Sequence, residues 1–259
     1  MKPGQYTDQQ GPRQPRRPWV VGVSGASGTP YAAAVLRGLL DAGESVDLVV
    51  SRASRLTLLD ETGIAFRDAY WRDDLRSWLA RGADGKPDAF VPNLPPESAP
   101  EAPGSLPGGA PDVRHWSAGD LAAGPSSGSY PVKGMLIVPA STACVAGVAL
   151  GLSKDLLQRA ASVTLKERRK LVVAVRETPL NGQTLKHLVT LDEAGAVVLP
   201  ASPAFYAGAT HIQDLVDFVA GRVLDAAGVP HRLYRRWEGE LGGSRGDADG
   251  PGAVRGPAR

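Results

Sequence analysis

The sequence predicts an α/β protein built on a mainly parallel sheet. Short β-branched runs alternate with segments of roughly 3.6-residue apolar periodicity, and glycine-rich turns join them. One run, Leu171–Val175, is apolar throughout, as a strand covered on both faces must be.

The first unit spans Val20 to Gly43, VVGVSGASGTPYAAAVLRGLLDAG. Val20, Val21 and Val23 form a buried-strand run. Gly22, Gly25 and Gly28 with Ser24 and Ser27 then make a turn rich in glycine and hydroxyl groups. A helix begins near Thr29 to Tyr31, where Pro30 suits a first-turn position that needs no N–H. Ala33, Val35, Leu36, Leu39 and Leu40 continue it at helical spacing. Free N–H groups at that helix start favour a phosphate, so the turn reads as a phosphate cradle; a tight turn without a ligand is the plainer alternative.

Ser45–Ser51 is the second strand. It ends in Ser51 and Arg52, where an NAD site places an acidic residue on the ribose. Arginine could take a 2′-phosphate, which leaves an NADP enzyme as a rival, and the serine suits a mononucleotide phosphate or a flavin edge. DETG (Asp60–Gly63) follows the next helix, and Glu61 there has a solvated helix-end carboxylate as its competing reading. The proline-dense stretch from about 82 to 112 cannot continue a helix or a central strand, so it is a surface insertion within one domain. Val113–Trp116 is a further candidate strand. Strand Met135–Pro139, helix Lys154–Arg169, strand Leu171–Val175, helix Gln183–Glu193, strand Ala196–Leu199 and helix Ile212–Ala227 complete the alternation. Residues 1–18 and 238–259 have little to bury and are predicted to be disordered, leaving 19–237 as a single domain.

Composition narrows the class. The 259 residues, 42% hydrophobic and 22% charged, suit a globular protein, and a net charge of +2 gives no reason to expect nucleic acid. No apolar run reaches the roughly 20 residues of a membrane span, and the N-terminus lacks a signal-peptide core. One cysteine excludes an intrachain disulfide and fits a cytoplasmic setting. No histidine has a partner at metal-ligand spacing, so no metal is expected.

In parallel sheets ligands sit beyond the carboxyl ends of the strands. There stand SGASG, Ser51, the hydroxyl loop Ala140–Thr142 with Cys144, RETPL (Arg176–Leu180) and PASPAFY (Pro200–Tyr206). Glu177 lies between core and cleft, where desolvation raises a carboxyl pKa enough to carry a proton; an Arg176–Glu177 pair bracing the loop is the alternative. Arg159 and Lys166, seven residues apart, project from one helix face as a cation pair or as solvated charge, while Arg168 and Arg169 meet water or the helix end. Tyr206 and Arg222 read singly as a core aromatic and a surface charge, and Cys144 as a small buried residue.

Taken in order, VGVSGASG, DETG, PAST, LLQRAASVTLKERRKLVVAVRETPL, PASPAFY and LVDFVAGRVLD resemble the flavin prenyltransferases of the UbiX/Pad family. The resemblance spans roughly residues 19–66 and 113–237. It implies a flavodoxin-like or Rossmann-like three-layer sandwich that binds FMN, usually as a dodecamer with sites between subunits. The implied reaction joins the dimethylallyl group of dimethylallyl phosphate to N5 and C6 of reduced FMN, without a metal. Its product, prenylated FMN, would serve a UbiD-type decarboxylase.

The resemblance also implies roles. Gly25, Ala26 and Ser27 form the FMN loop, and Ser51, Ser141, Thr142, Ala143, Cys144 and Arg176 complete the flavin site. Arg159, Lys166, Tyr206 and Arg222 hold the donor phosphate, Lys166 as part of the catalytic set, and Trp237 covers the prenyl pocket. Glu177 handles proton exchange, supported by Glu61 and Ser27. Two features depart from the family: Ala140 and Ala143 replace a cysteine and a lysine of the hydroxyl loop, and the proline-rich insertion is unusual. The remaining alternatives are a flavin-dependent decarboxylase of the related fold, which would want a histidine in its cleft, and a non-catalytic flavin-delivery protein.

Overall fold

Strands β1 (Trp19–Val23), β2 (Val46–Val50), β3 (Val113–Ser117), β4 (Gly134–Ala140), β5 (Lys170–Val175) and β6 (Val197–Pro200) pair in one sheet of the computed structural model. The structure describes residues 16–87, 112–237 and 239. Strand order is β3-β2-β1-β4-β5-β6, every pairing parallel. The chain therefore winds outward in one direction from β1 and in the other from β4. The crevice between their carboxyl ends is the topological switch point where such sheets hold ligands.

Among the described residues seven α-helices cover the two faces of the sheet, making three layers: α1 (Thr29–Asp41), α2 (Arg52–Thr62), α3 (Trp71–Leu79), α4 (Thr142–Ala149), α5 (Leu156–Lys166), α6 (Gly182–Glu193) and α7 (Ile212–Ala227). Successive strand side chains alternate between faces, and two cores result. On one side Val21, Leu48, Leu136 and Val172 meet α1, α3 and α7 through Leu36, Trp78 and Leu224. On the other Val20, Val49, Ile137 and Val173 meet α4, α5 and α6 through Val145, Leu157 and Leu191. The apolar run of β5 is thus divided between both cores.

The predicted strands and crossover helices are present, with shifted ends. The helix expected over Lys154–Arg169 is trimmed to Leu156–Lys166, because the Asp155 carboxylate caps the Gln158 N–H at 2.9 Å and Arg168 turns to a φ of 54°. Helices α3 and α4 are additions, and α4 occupies what the sequence suggests is a hydroxyl loop. The arm at 1–18 is described only from Arg16, the insertion only at 82–87 and 112, and the tail only at Gly239, so those expectations lie largely outside the described residues.

One charge sits inside the sheet. Asp47 on β2 is fully buried, and Arg16 answers it with Nη1 at 2.7 Å from Oδ1. Arg16 also donates to the Val46 carbonyl at 3.0 Å and lies 2.8 Å from the Asp112 carboxylate, fastening residues 16 and 112 to β2.

Candidate functional site

The candidate site lies at the carboxyl ends of β1, β2, β4 and β5. Ser24 joins two of them: its hydroxyl donates to the Pro139 carbonyl at 2.9 Å and accepts from the Ser141 N–H at 2.7 Å. Gly25 is required by close approach, since a Cβ there would stand 2.4 Å from that of Ala53 on α2. Gly28 turns into α1 at a φ of +110°. Ser51 caps α2 through the Ser54 N–H at 3.1 Å, and Ser141 caps α4 through the Cys144 N–H at 3.2 Å. Three helix N-termini, those of α1, α2 and α4, therefore open on the same edge.

The N-terminus of α1 is not available to a phosphate, contrary to the sequence expectation. The Glu61 carboxylate fills it, accepting from the Gly28 N–H at 2.9 Å, the Thr29 N–H at 2.8 Å and the Thr29 hydroxyl at 2.6 Å. Partial burial works against the charged form. Hydrogen bonds from the Thr29 and Ser27 hydroxyls and the Gly28 and Thr29 N–H groups outweigh it and hold the carboxyl below its ordinary range. Glu61 is thus a clamp across α1 and α2 and not the solvated carboxylate of its competing reading. The N–H groups of Thr142 and Ala143, in the first turn of α4, take no partner among the described residues. That helix start is where an anion finds unpaired donors.

Arg176 extends from β5 across the turn, Nε donating to the Ser27 carbonyl at 3.1 Å. Glu177 is exposed in the single chain, its Oε1 accepting the Thr178 N–H at 3.0 Å. Two expectations for Glu177 are therefore corrected: within one chain it is not desolvated, and no ion pair with Arg176 braces the loop among the described residues. Cys144 is buried. Burial, reinforced by Asp155 and partly offset by a hydrogen bond from Ser24, pushes its thiol up to about 12, so it remains protonated at neutral pH.

The expected donor-binding residues fall into two groups on opposite faces of the sheet. Beside α7, the Tyr206 ring stands edge-on to Phe218 at 5.6 Å and to Trp237 at 6.0 Å. Phe218 packs on Tyr234 at 4.9 Å, and Tyr234 lies 3.4 Å from Arg222 Nη1. Arg159 and Lys166 belong to α5, whose apolar side fills the other core. There Arg159 Nε donates to the Ser126 carbonyl at 3.1 Å, and Lys166 pairs with Glu167. Arg169 donates to the Gly128 and Tyr130 carbonyls instead of meeting water or its own helix end.

Distance separates Lys166 from the ligand edge as well. It ends α5 just before β5 begins at Lys170, and from there to Arg176 the chain rises about 20 Å at the usual rise of a strand. A single chain thus assembles Tyr206, Arg222 and Trp237, and separately Ser24 to Ser27, Ser51, Ser141 to Cys144 and Arg176, and holds Lys166 away from this second set; Arg159 stands one turn into α5, whose first N–H bonds the Ala118 carbonyl just beyond β3. Sequence reasoning missed Ser24 as a bridge, and Phe218, Asp225 and Tyr234 as links within the aromatic group. The spacing of Arg222 and Asp225, three residues apart on a helix, is the signal that could have found one of them.

Among the described residues no group of three His, Cys, Asp or Glu side chains could hold a metal ion, and no helix is long and apolar enough to cross a membrane. The profile of the flavoprotein family matches residues 8–224. A flavin prenyltransferase UbiX of Streptomyces coelicolor is 81% identical over 228 residues, which are 88% of this chain and 98% of that protein. Another from Synechocystis is 38% identical over 227 residues, 88% of this chain and 98% of that protein. The crystal structure of AnUbiX (PadA1) in complex with FMN and dimethylallyl pyrophosphate matches with a TM-score of 0.68 at 33% identity, over 87% of this chain and 100% of that one. A dodecameric FMN-dependent UbiX-like decarboxylase from Escherichia coli O157:H7 matches with a TM-score of 0.67 at 31% identity, over 85% and 99%.

Proposed function

Because the chain belongs to the flavoprotein family, among its UbiX flavin prenyltransferases, we propose that it transfers the dimethylallyl group of dimethylallyl phosphate to N5 and C6 of reduced FMN. It is a transferase acting on FMN. The observation that carries the finer reading is the grouping of Tyr206 and Trp237 with Arg222 beside α7. Aromatic faces stabilise an allylic cation, and a guanidinium stabilises the departing phosphate.

The donor set at the switch point fits FMN. The unpaired N–H groups of Thr142 and Ala143 with the Ser141 hydroxyl suit its phosphate, which makes backbone donors the substitute for the missing lysine at Ala143. Gly25, Ala26 and Ser27 pass the ligand closely, while Ser51, Cys144 and Arg176 border it. When bound, reduced FMN supplies the electron-rich nucleophile. Glu61 holds the Gly25–Thr29 turn rigid together with Ser27, and Glu177, two residues beyond β5, would accept and return a proton at its carboxylate. Arg159 holds the donor phosphate, and a second copy delivers Lys166, which encloses Glu177 and supplies the desolvation that the single chain lacks. The dodecameric Escherichia coli relative supports such an assembly, and residues 19–237 form its repeating unit.

The released prenylated FMN goes to a UbiD-type decarboxylase. The enzyme works in the cytoplasm, a setting in which the lone thiol of Cys144 stays reduced. Two of the four histidines are closed to a decarboxylase reading, since His231 is buried against Asp225 and His115 lies against Phe66 and Trp71. The test is anaerobic incubation with reduced FMN and dimethylallyl phosphate, followed by mass spectrometry of the released flavin. A gain of one C5 prenyl unit that depends on the donor is expected. Unmodified FMN recovered from protein that binds it would overturn the reading.

A further inference from the structure

Arg222 is held by a network that the family motifs leave without a role. Its Nη1 lies 3.0 Å from Oδ2 of Asp225, one turn further along α7. Asp225 gathers three more donors from the segment that follows the helix: the Tyr234 hydroxyl at 2.5 Å, His231 Nε2 at 3.0 Å and Arg236 Nη2 at 2.8 Å. The side chain of His231 is 2% exposed and that of Asp225 19%, against 51% for Arg222. A mostly buried carboxylate therefore grips an exposed guanidinium on one side and the segment that carries Tyr234 and Trp237 on the other.

An exposed ion pair three residues apart on a helix contributes little to stability. Here the pair has a second consequence, because it fixes which nitrogens remain for a ligand. A guanidinium carries five N–H donors. Among the described residues the hydrogen bonds of Arg222 engage Nη1, leaving Nη2 and Nε. Arg222 and Asp225 also line a cavity of about 430 Å³ between β6 and α7, with Pro200, Ser202 and Phe218. That volume suits a small ligand.

We propose that Asp225 is a positioning residue for recognition of the prenyl donor. It orients Arg222 at the cavity wall and locks the Tyr234–Trp237 segment to α7, so one carboxylate sets both the phosphate contact and the aromatic cover. The proposal rests on the prenyltransferase reading.

The test compares wild type, Asp225→Asn, Arg222→Met and the double variant, all loaded with FMN. Asp225→Asn is expected to raise KM for dimethylallyl phosphate about tenfold, with a smaller effect on kcat and FMN affinity unchanged within about twofold, since the flavin edge lies at the β1/β4 switch point. Thermal protection by inorganic pyrophosphate should weaken in parallel. On the Arg222→Met background the same substitution should raise KM by clearly less than tenfold, because only the loosened aromatic cover is left to act. Additive effects in the double variant, or parallel loss of FMN and donor binding, would overturn the proposal. If Asp225→Asn does not fold, Tyr234→Phe removes one donor from the same carboxylate and should raise KM about threefold; an unchanged KM would again count against it. A wild type that makes no prenylated flavin refutes the prenyltransferase reading, while the pyrophosphate comparison still reports on the Asp225–Arg222 coupling.

Discussion

Chains carrying Lys166→Ala and chains carrying Glu177→Gln should each assemble into inactive enzyme, yet regain activity when assembled together. The reason is the run of the chain between the two positions. Helix α5 finishes at Lys166, four residues before β5 starts, whereas Glu177 lies just beyond the far end of that strand. At a rise of about 3.3 Å per residue the intervening strand separates them by about 20 Å. A lysine side chain cannot span that gap, so a site that uses both residues, as proposed above, draws its lysine from another copy. When equal amounts of the two variants mix at random, a site is intact only if its Glu177 comes from a Lys166→Ala chain and its Lys166 from a Glu177→Gln chain. That combination occurs at about one quarter of sites. Co-expression with two different tags, tandem purification and anaerobic turnover per bound FMN would measure it. Mixed oligomers of verified composition with no more activity than either parent would show that the two residues act within one chain.

Three further outcomes follow from the buried and capped charges. Arg16→Met strands the fully buried Asp47, which should cost about 3–5 kcal/mol; a urea midpoint no lower than that of Arg114→Met would refute it. Burial pushes the ionisation of His115 down from 6.5 to about 4, with Asp68 opposing and Arg55 reinforcing the shift. The unfolded chain therefore takes up a proton that the folded chain refuses, and stability should fall by about 3 kcal/mol as pH drops through that window; a His115→Phe variant with the same slope would sink this account. Glu61 ionises below its ordinary 4.5, so its clamp stabilises the fold above that pH and is lost as pH falls through the lowered value. Glu61→Gln should cost about 1 kcal/mol at neutral pH, and melting curves of the two proteins should converge in acid.

How much of the fold could be read depends on how locally each element is encoded. The strands were legible because β-branched runs such as Val20–Val23 and Leu171–Val175 need no distant partner to be recognised. Helix α4 was not: TACVAGVA is short and apolar on nearly every side, so it has little periodicity to detect. Its helicity depends on the Ser141 cap and on packing against α6, which only the folded chain supplies. The signal for α3 was present, with Trp71, Leu75 and Trp78 at helical spacing, but four charges among its nine residues mask the apolar stripe.

The site divides along a different line, between which residues take part and where each one sits. Motifs named the candidates, but the hydroxyls of Ser51 and Ser141 turned out to cap helices, and the α1 phosphate cradle to be filled by Glu61, 33 residues beyond Gly28. The Glu61 contact follows from the packing of α2 against α1, which no local pattern records, whereas each serine cap reaches only three residues ahead. Nearness in sequence misleads more strongly for Lys166 and Glu177, only 11 residues apart. In a parallel sheet every crossover helix runs back to the edge where the next strand begins, so the end of that helix and the end of that strand lie on opposite edges. A site that uses both, as the proposed mechanism does, cannot be closed by one copy. Assembly is therefore a topological condition of the chemistry and not an addition to a finished active site.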